Sequence, residues 1–187
     1  MKSVFFRNCD TTIFKMVSSI LLLIIACGCF SVKPSSTKSG KKYFETFYVG
    51  DEGTQYFIKP ISFKSEKSNE DAVLDFTFRY KSEIKDSAIV NFSIKSALIY
   101  KSIDSLKLSN KNMEVKSDKI KLIFNEKKSS FISRFSTKLS VKEVKDLFNN
   151  NEWVLVLYSR SQTEKFSPHR KATKAISVLR DKVFILM

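Results

Sequence analysis

Apolar and polar residues alternate along most of the chain after residue 42. The clearest stretch covers residues 73–80, where every second side chain is apolar: Leu74, Phe76, Phe78 and Tyr80. A period of two places successive side chains on opposite faces of a β-strand. The pattern therefore predicts a strand with one buried face and one face in water.

Similar patterns predict six further strands, over residues 43–49, 54–63, 90–94, 120–124, 131–135 and 152–159. Within 120–124, the alternating residues Ile120, Leu122 and Phe124 are predicted to face the core. Pro60 interrupts the strand over 54–63 and indicates a sheet edge or a bulge, because proline has no amide hydrogen. Within the last of these strands, residues 153–158 are apolar without alternation, which is typical of a central strand covered on both faces.

Two later segments carry helix signals. Ser140 and Glu143 have the spacing of a capping box, which predicts a helix over residues 141–149. Ser167 and Pro168 are typical of an N-cap followed by proline at the first helical position, which predicts a helix over 168–181. The apolar residues 183–187 are expected to pack against the sheet.

These elements predict a fold that is mainly β with two late helices. Many short, mostly sequential strands are typical of a β-sandwich or a curled antiparallel sheet, and the sequence leaves both open. Neither an internal repeat nor a second composition is visible after residue 42. We therefore expect one β-rich domain over residues 43–187.

The first 29 residues differ in character from the rest of the chain. A basic segment is followed by an apolar run over residues 16–26, which ends at Cys27. This run of eleven residues is too short for a bilayer core that needs about 20 apolar residues, and it suits a cleaved export signal. All three cysteines, Cys9, Cys27 and Cys29, lie in or beside this segment, so the predicted domain has no internal disulfide.

The residues Ile24, Ile25 and Ala26 before Cys27 resemble the lipobox of bacterial lipoproteins. The resemblance implies a signal peptide over residues 1–26, cleavage before Cys27, and acylation of Cys27, with palmitate among the acyl chains. It is confined to the N-terminal segment. A second frame ending at Cys29 fits less well, because it puts cysteine where an aliphatic or small residue is expected. Gly28, in place of the aspartate associated with inner-membrane retention, favours the outer membrane if the source is Gram-negative.

Residues 27–42 are expected to form the lipidated N-terminus and a flexible tether. The stretch 31–42 is rich in serine and lysine and shows no apolar periodicity. A dozen such residues span on the order of 20 Å as a coil. Two or three acyl chains would hold the protein at a membrane firmly, because each buried methylene contributes about 0.8 kcal/mol.

Charge is the main clue to a ligand. The chain has 33 basic and 19 acidic residues and a net charge of +14, which favours anionic partners. Lysine far outnumbers arginine, however, and an AT-rich genome would produce the same bias. The densest basic cluster is the candidate anion site: Lys165, His169, Arg170, Lys171 and Lys174. A helix N-terminus there would attract an anion, although a solvated helix face explains the same residues.

Signals for catalysis are weak. All four glycines precede residue 54, so the predicted domain lacks glycine-rich phosphate-binding motifs, and its one histidine, His169, cannot supply paired zinc ligands. Glu70 and Asp71 lie in a hydrophilic turn, which explains them without a function. Tyr80, Tyr100 and Tyr158 would suit a ligand platform, but nothing marks them as exposed. We therefore assign no catalytic residue, metal ligand or cofactor from the sequence.

The sequence thus predicts a lipid-anchored bacterial cell-envelope protein that acts by binding or scaffolding. Its expected partners are the membrane, through the anchor, and an anionic glycan, a lipid or an envelope protein. Nucleic acid is disfavoured, because the export signal directs the domain away from the chromosome. The alternative is a small envelope hydrolase that uses aspartate and glutamate residues brought together by the fold.

Overall fold

The computed structural model describes residues 42–81, 87–160 and 162–187. They form ten strands: β1 (Phe44–Tyr48), β2 (Thr54–Ser65), β3 (Asp71–Tyr80), β4 (Ser87–Ser96), β5 (Ser105–Ser109), β6 (Glu114–Ser117), β7 (Lys121–Lys127), β8 (Phe131–Ser140), β9 (Val154–Ser159) and β10 (Gln162–Pro168). They also form two α-helices, α1 (Val141–Phe148) and α2 (Arg170–Lys182). The predicted signal, Cys27 and nearly all of the tether lie outside the described residues.

The strands form one antiparallel sheet in the order β6-β5-β9-β10-β2-β3-β4-β8-β7, and β1 pairs with β2 beside the β10 segment. The sheet curls into a half-barrel, so the prediction of a mainly β fold with two late helices is confirmed. Of the two architectures left open, the structure has the curled sheet. The hydroxyls of Ser117 in β6 and Thr137 in β8 hydrogen-bond to each other, so strands from the two ends of the sheet meet.

The hydrophobic core lies inside the curl, between the sheet and the two helices. Trp153 and Phe148 form its centre, with ring centroids 4.7 Å apart, and Phe184 stacks on Phe148 at 4.1 Å. The strands and α2 add the rest of the same core, including Phe76, Phe92, Phe166 and Ile176. Within the described part of the chain, no helix has the length and apolar character that crossing a membrane requires.

The first predicted helix is confirmed. The Ser140 hydroxyl accepts a hydrogen bond from the Glu143 amide at 3.1 Å, and the Glu143 carboxylate accepts from the Ser140 amide at 2.8 Å, so the capping box is complete. Helix α1 ends at Phe148, one residue before the predicted end. Its Val144, Leu147 and Phe148 are buried in the core.

The predicted start of the second helix is wrong by two residues. Pro168 still pairs with Phe63 as the last residue of β10, and the His169 amide donates to the Ser62 carbonyl at 3.1 Å. The N-cap of α2 is therefore His169, whose Nδ1 accepts from the Lys171 amide at 3.4 Å. Pairing with β2 outweighs the local preference of proline for the first helical position.

All seven predicted strands are present, although their ends differ by a few residues. Pro60 coincides with a shift in the β2–β3 register between Ile58 and Ile61, so the predicted bulge is confirmed. Strand β9 lies between β5 and β10, and three consecutive residues in it are buried. The strands β5, β6 and β10 were not predicted, because β5 and β6 have only five and four residues and β10 carries a single buried apolar residue, Phe166.

Strand β7 corrects one prediction of burial. All seven of its residues are exposed, including Leu122 and Phe124, because β7 is a terminal strand of the sheet with β8 as its neighbour. Of the three residues predicted to face the core, Ile120, which lies just before the strand, does pack against it. The pattern of alternation predicted the strand correctly but not its place at the edge.

The C-terminal segment is confirmed in part. Val183 and Phe184 are buried, and the carbonyl of Met187 accepts a hydrogen bond from the Tyr80 hydroxyl at 2.5 Å. Ile185 and Leu186 correct the prediction, because both are exposed in the short 3₁₀ turn Phe184–Leu186. A helical turn points only part of its side chains toward the sheet.

Candidate functional site

A cleft of about 270 Å³ opens at the end of the sheet where β4 leads toward β5 and β9 turns into β10. Its lining comes from two segments: Leu98, Ile99, Tyr100, Lys101 and Ser102 from the first, and Ser159, Arg160 and Gln162 from the second. The lining includes two cations, several hydroxyl and amide groups, and an aliphatic wall. Its volume is near the lower limit for small-molecule sites, about 300 Å³.

Tyr100 is the buried member of this lining, and its hydroxyl is held by two polar side chains. Its hydroxyl donates to Glu70 at 2.8 Å and accepts from the Gln162 side-chain amide at 2.6 Å. The other carboxylate oxygen of Glu70 accepts from the Ser96 hydroxyl at 2.5 Å. The phenol is thereby fixed at the cleft by residues from three parts of the sheet.

The surroundings of Tyr100 keep its hydroxyl protonated. Burial raises the pKa of Tyr100 well above its usual range, and the hydrogen bond to the Glu70 carboxylate raises that pKa further. The negative charge of Glu164 acts in the same direction. A neutral phenol of this kind donates and accepts hydrogen bonds, and it does not serve as a nucleophile or a base near neutral pH.

The loop that carries Tyr100 is held at three of its backbone amides. The Leu98 amide donates to the Ser96 hydroxyl at 3.0 Å, and the Tyr100 amide donates to the buried Ser133 hydroxyl at 3.1 Å. Further along, the Asp104 amide donates to the Tyr158 carbonyl at 2.8 Å. The cleft is therefore preformed, which reduces the entropy lost when a ligand binds.

A second carboxylate, Glu164, lies near Tyr100 but is occupied by neighbouring side chains. One of its oxygens accepts from the Ser65 hydroxyl at 2.7 Å and from the Ser68 hydroxyl at 2.6 Å. Neither Glu70 nor Glu164 belongs to the cleft lining. The described residues also contain no group of three or more histidine, cysteine or acidic side chains suited to a metal ion.

The sequence-predicted anion site is divided between two elements. Lys165 lies on β10 and pairs with Glu66 at 3.0 Å, on the strand face opposite to the buried Phe166. Helix α2 packs on the Phe166 side, since its apolar residues join the same core. His169, Arg170, Lys171 and Lys174 are exposed at the start of α2. The structure thus groups these four residues and places Lys165 on another face.

Sequence reasoning missed the role of Glu70. It lies in a turn, as predicted, yet its carboxylate binds two side chains, one of them the buried Tyr100. Of the three tyrosines considered for a ligand platform, Tyr100 lines the cleft, whereas Tyr80 lies at the other end of β3. Only pairing across the sheet brings Glu70, Tyr100 and Gln162 together, so no local sequence signal could have identified them.

Neither a family model, nor a curated protein, nor a solved structure matches this chain.

Proposed function

We propose that the protein is a lipid-anchored component of the bacterial cell envelope that acts by binding or scaffolding. The observation that carries this proposal is the lipobox-like sequence Ile24, Ile25, Ala26 and Cys27 at the end of an apolar run. Acylation at Cys27 would attach the β-rich domain to a membrane through the polar tether. The proposed location is the outer membrane in a Gram-negative source.

The preformed cleft supports binding as the domain's activity. The Tyr100 hydroxyl is hydrogen-bonded on two sides. The amides of Leu98, Tyr100 and Asp104 hold the loop around it through hydrogen bonds to two serine hydroxyls and one backbone carbonyl. Such an arrangement presents polar groups in one geometry, which suits recognition. The anionic partners expected from the net charge agree with the cationic side chains Lys101 and Arg160 in its lining.

The alternative, a hydrolase that uses paired carboxylates, has less support. Glu70 and Glu164 do approach the same phenol, as the negative charge of both raises the pKa of Tyr100. Their oxygens, however, accept hydrogen bonds from Ser96, Ser65 and Ser68, and neither lines the cleft. A general acid or base has to reach the substrate.

The proposal is tested by the intact mass and membrane partition of the protein made in a bacterial host. We expect the wild type to begin at Cys27, carry acyl chains and fractionate with membranes. Cys27→Ala should keep the signal or leave the membrane fraction. The matched control is Cys29→Ala, which should behave like the wild type.

Two outcomes would contradict lipid anchoring at Cys27. If the wild type retained residues 1–26 and carried no acyl chain, the protein would have no lipid anchor. Acylation lost in Cys29→Ala and kept in Cys27→Ala would move the anchor to the second frame. Recovery of an envelope glycan, lipid or protein after crosslinking would then support binding, whereas turnover of an envelope polymer by the purified protein would support the hydrolase.

A further inference from the structure

The cleft beside Tyr100 has the chemistry of a site for an acidic carbohydrate. We propose that it binds one sugar unit that carries a carboxylate or a phosphate group. This inference rests on the proposed function, because it assumes that the domain acts by binding. It adds the class of ligand and the residues that recognise it.

The two cations in the lining are available for an anionic group. Lys101 and Arg160 are both exposed, and neither forms an ion pair with any acidic side chain among the described residues. They come from different segments of the chain but line the same small cleft. Arginine offers a planar pair of donors to a carboxylate or phosphate, and lysine adds a mobile charge.

Neutral polar groups complete the recognition surface. Ser102 presents a hydroxyl. The Ser159 hydroxyl donates to the Gln162 carbonyl at 3.4 Å and keeps its lone pairs as acceptors, and Gln162 has an amide of which one N–H already binds Tyr100. Hydroxyls and amides both donate and accept, as the hydroxyls of a sugar do. A simple inorganic anion would use the two cations and leave these groups in water, so the lining favours a hydroxylated ligand.

The aliphatic wall accounts for the carbon face of a sugar ring. Leu98 is 67% exposed and Ile99 is 41% exposed, although both lie in a loop whose backbone is fixed. Covering such side chains favours binding, because it removes apolar surface from water. The volume of about 270 Å³ limits the bound part to a small unit, such as one residue of a longer glycan.

Binding is measured by NMR titration of the full-length protein in a nonionic detergent. The probes are glucuronic acid and glucose 6-phosphate, with glucose as the neutral sugar, inorganic phosphate as the free anion and glutamate as an anion without a sugar ring. For a ligand of this size we expect a dissociation constant on the order of 1 mM. Resonances of Leu98 to Ser102 and of Gln162 should shift with the acidic sugars.

The double variant Lys101→Gln/Arg160→Gln should weaken binding of the acidic sugars at least tenfold. Both side chains are exposed, so its unfolding curve should match that of the wild type. The matched control is Lys111→Gln, because Lys111 is an exposed lysine in the β5–β6 turn, at the other end of β5 from the cleft. It should bind like the wild type.

Several results would overturn the proposal. If glucose bound as tightly as glucuronic acid, the charge would not contribute to recognition. If phosphate or glutamate bound as tightly, the sugar ring would not contribute. Unchanged affinity in the double variant would show that the ligand binds elsewhere. An absence of resonance shifts at ligand concentrations tenfold above the expected dissociation constant would show that the cleft does not bind acidic sugars. These results do not depend on acylation of Cys27, so failure of the ligand proposal and failure of the lipid anchor are distinguishable.

Discussion

Tyr100 donates its hydroxyl hydrogen to Glu70 across 2.8 Å, which links the loop after β4 to the start of β3. Glu70 also accepts from Ser96, so one carboxylate binds both Tyr100 and the last residue of β4. Hydrogen bonds to charged groups contribute about 1.5–3 kcal/mol each to stability. This small network therefore fixes both the shape of the cleft and part of the stability of the sheet end.

The first prediction concerns this pair of residues. Glu70→Ala should lower the free energy of unfolding by about 2 kcal/mol, and Tyr100→Phe by about 1 kcal/mol. The double variant should lose less unfolding free energy than the sum of the two single losses, with a coupling energy of about 1 kcal/mol. Urea denaturation followed by the fluorescence of Trp153 measures all three values.

The control for this cycle is Glu126→Ala, which removes an exposed carboxylate that pairs with Lys128 at 3.1 Å. Its cost should stay below about 1 kcal/mol, as is usual for surface ion pairs. Strict additivity of Glu70→Ala and Tyr100→Phe would contradict the proposed coupling.

The second prediction is a loss of stability in alkaline solution. The pKa of Tyr100 is raised in the folded protein, so the folded state holds this proton more tightly than the unfolded state does. The stabilisation is complete below the unfolded pKa of about 10 and is lost as pH rises from there toward the folded pKa. Tyr100→Phe should therefore show a smaller fall in unfolding free energy between about pH 8 and about pH 11. An equal fall in both proteins would contradict this assignment.

The third prediction compares two glycines of the β1–β2 connection. Gly50 and Gly53 both have positive φ, at 58° and 88°, so alanine is strained at either position. A Cβ at Gly53 would lie 2.5 Å from the Tyr80 carbonyl oxygen, whereas one at Gly50 would meet no atom within 4 Å. Gly53→Ala should therefore cost about 1–3 kcal/mol more than Gly50→Ala in urea denaturation. Equal losses of unfolding free energy in the two variants would show that the backbone relieves the clash at Gly53 without destabilising the fold.

The fourth prediction concerns the centre of the core. Phe148 contacts Trp153 and stacks on Phe184, and it is fully buried. Phe148→Ala should lower the free energy of unfolding by about 3–5 kcal/mol through lost burial and a cavity. Phe124→Ala removes the same side chain from the exposed strand β7 and should cost under about 1 kcal/mol. Comparable losses in calorimetry would contradict the placement of β7 outside the core.

Local patterns predicted the elements whose signals are contained in their own residues. Leu74, Phe76 and Phe78 are buried as their alternation predicts, and Ser140 caps α1 through Glu143 as the spacing predicts. In each case the decisive contacts lie within one strand face or one helical turn, so the sequence carries them directly.

Features that depend on distant pairing were missed. Leu122 and Phe124 alternate like core residues, and only the strand order shows that β7 is terminal. Pro168 has the local signal of a helix start, and pairing with Phe63 keeps it in β10. The cleft depends wholly on such pairing, because Tyr100 and Gln162 meet across 62 positions of the chain.

The strand order has a consequence for synthesis. Strand β5 pairs with β6 along one edge and with β9 along the other. The second edge of β5 therefore stays unpaired until β9 is translated, much later in the chain. Strand β10 in turn joins β9 to β2 near the start of the domain. Pairings between such distant segments form late and slowly. A nascent chain with this order cannot complete its sheet until its final segments have been synthesised.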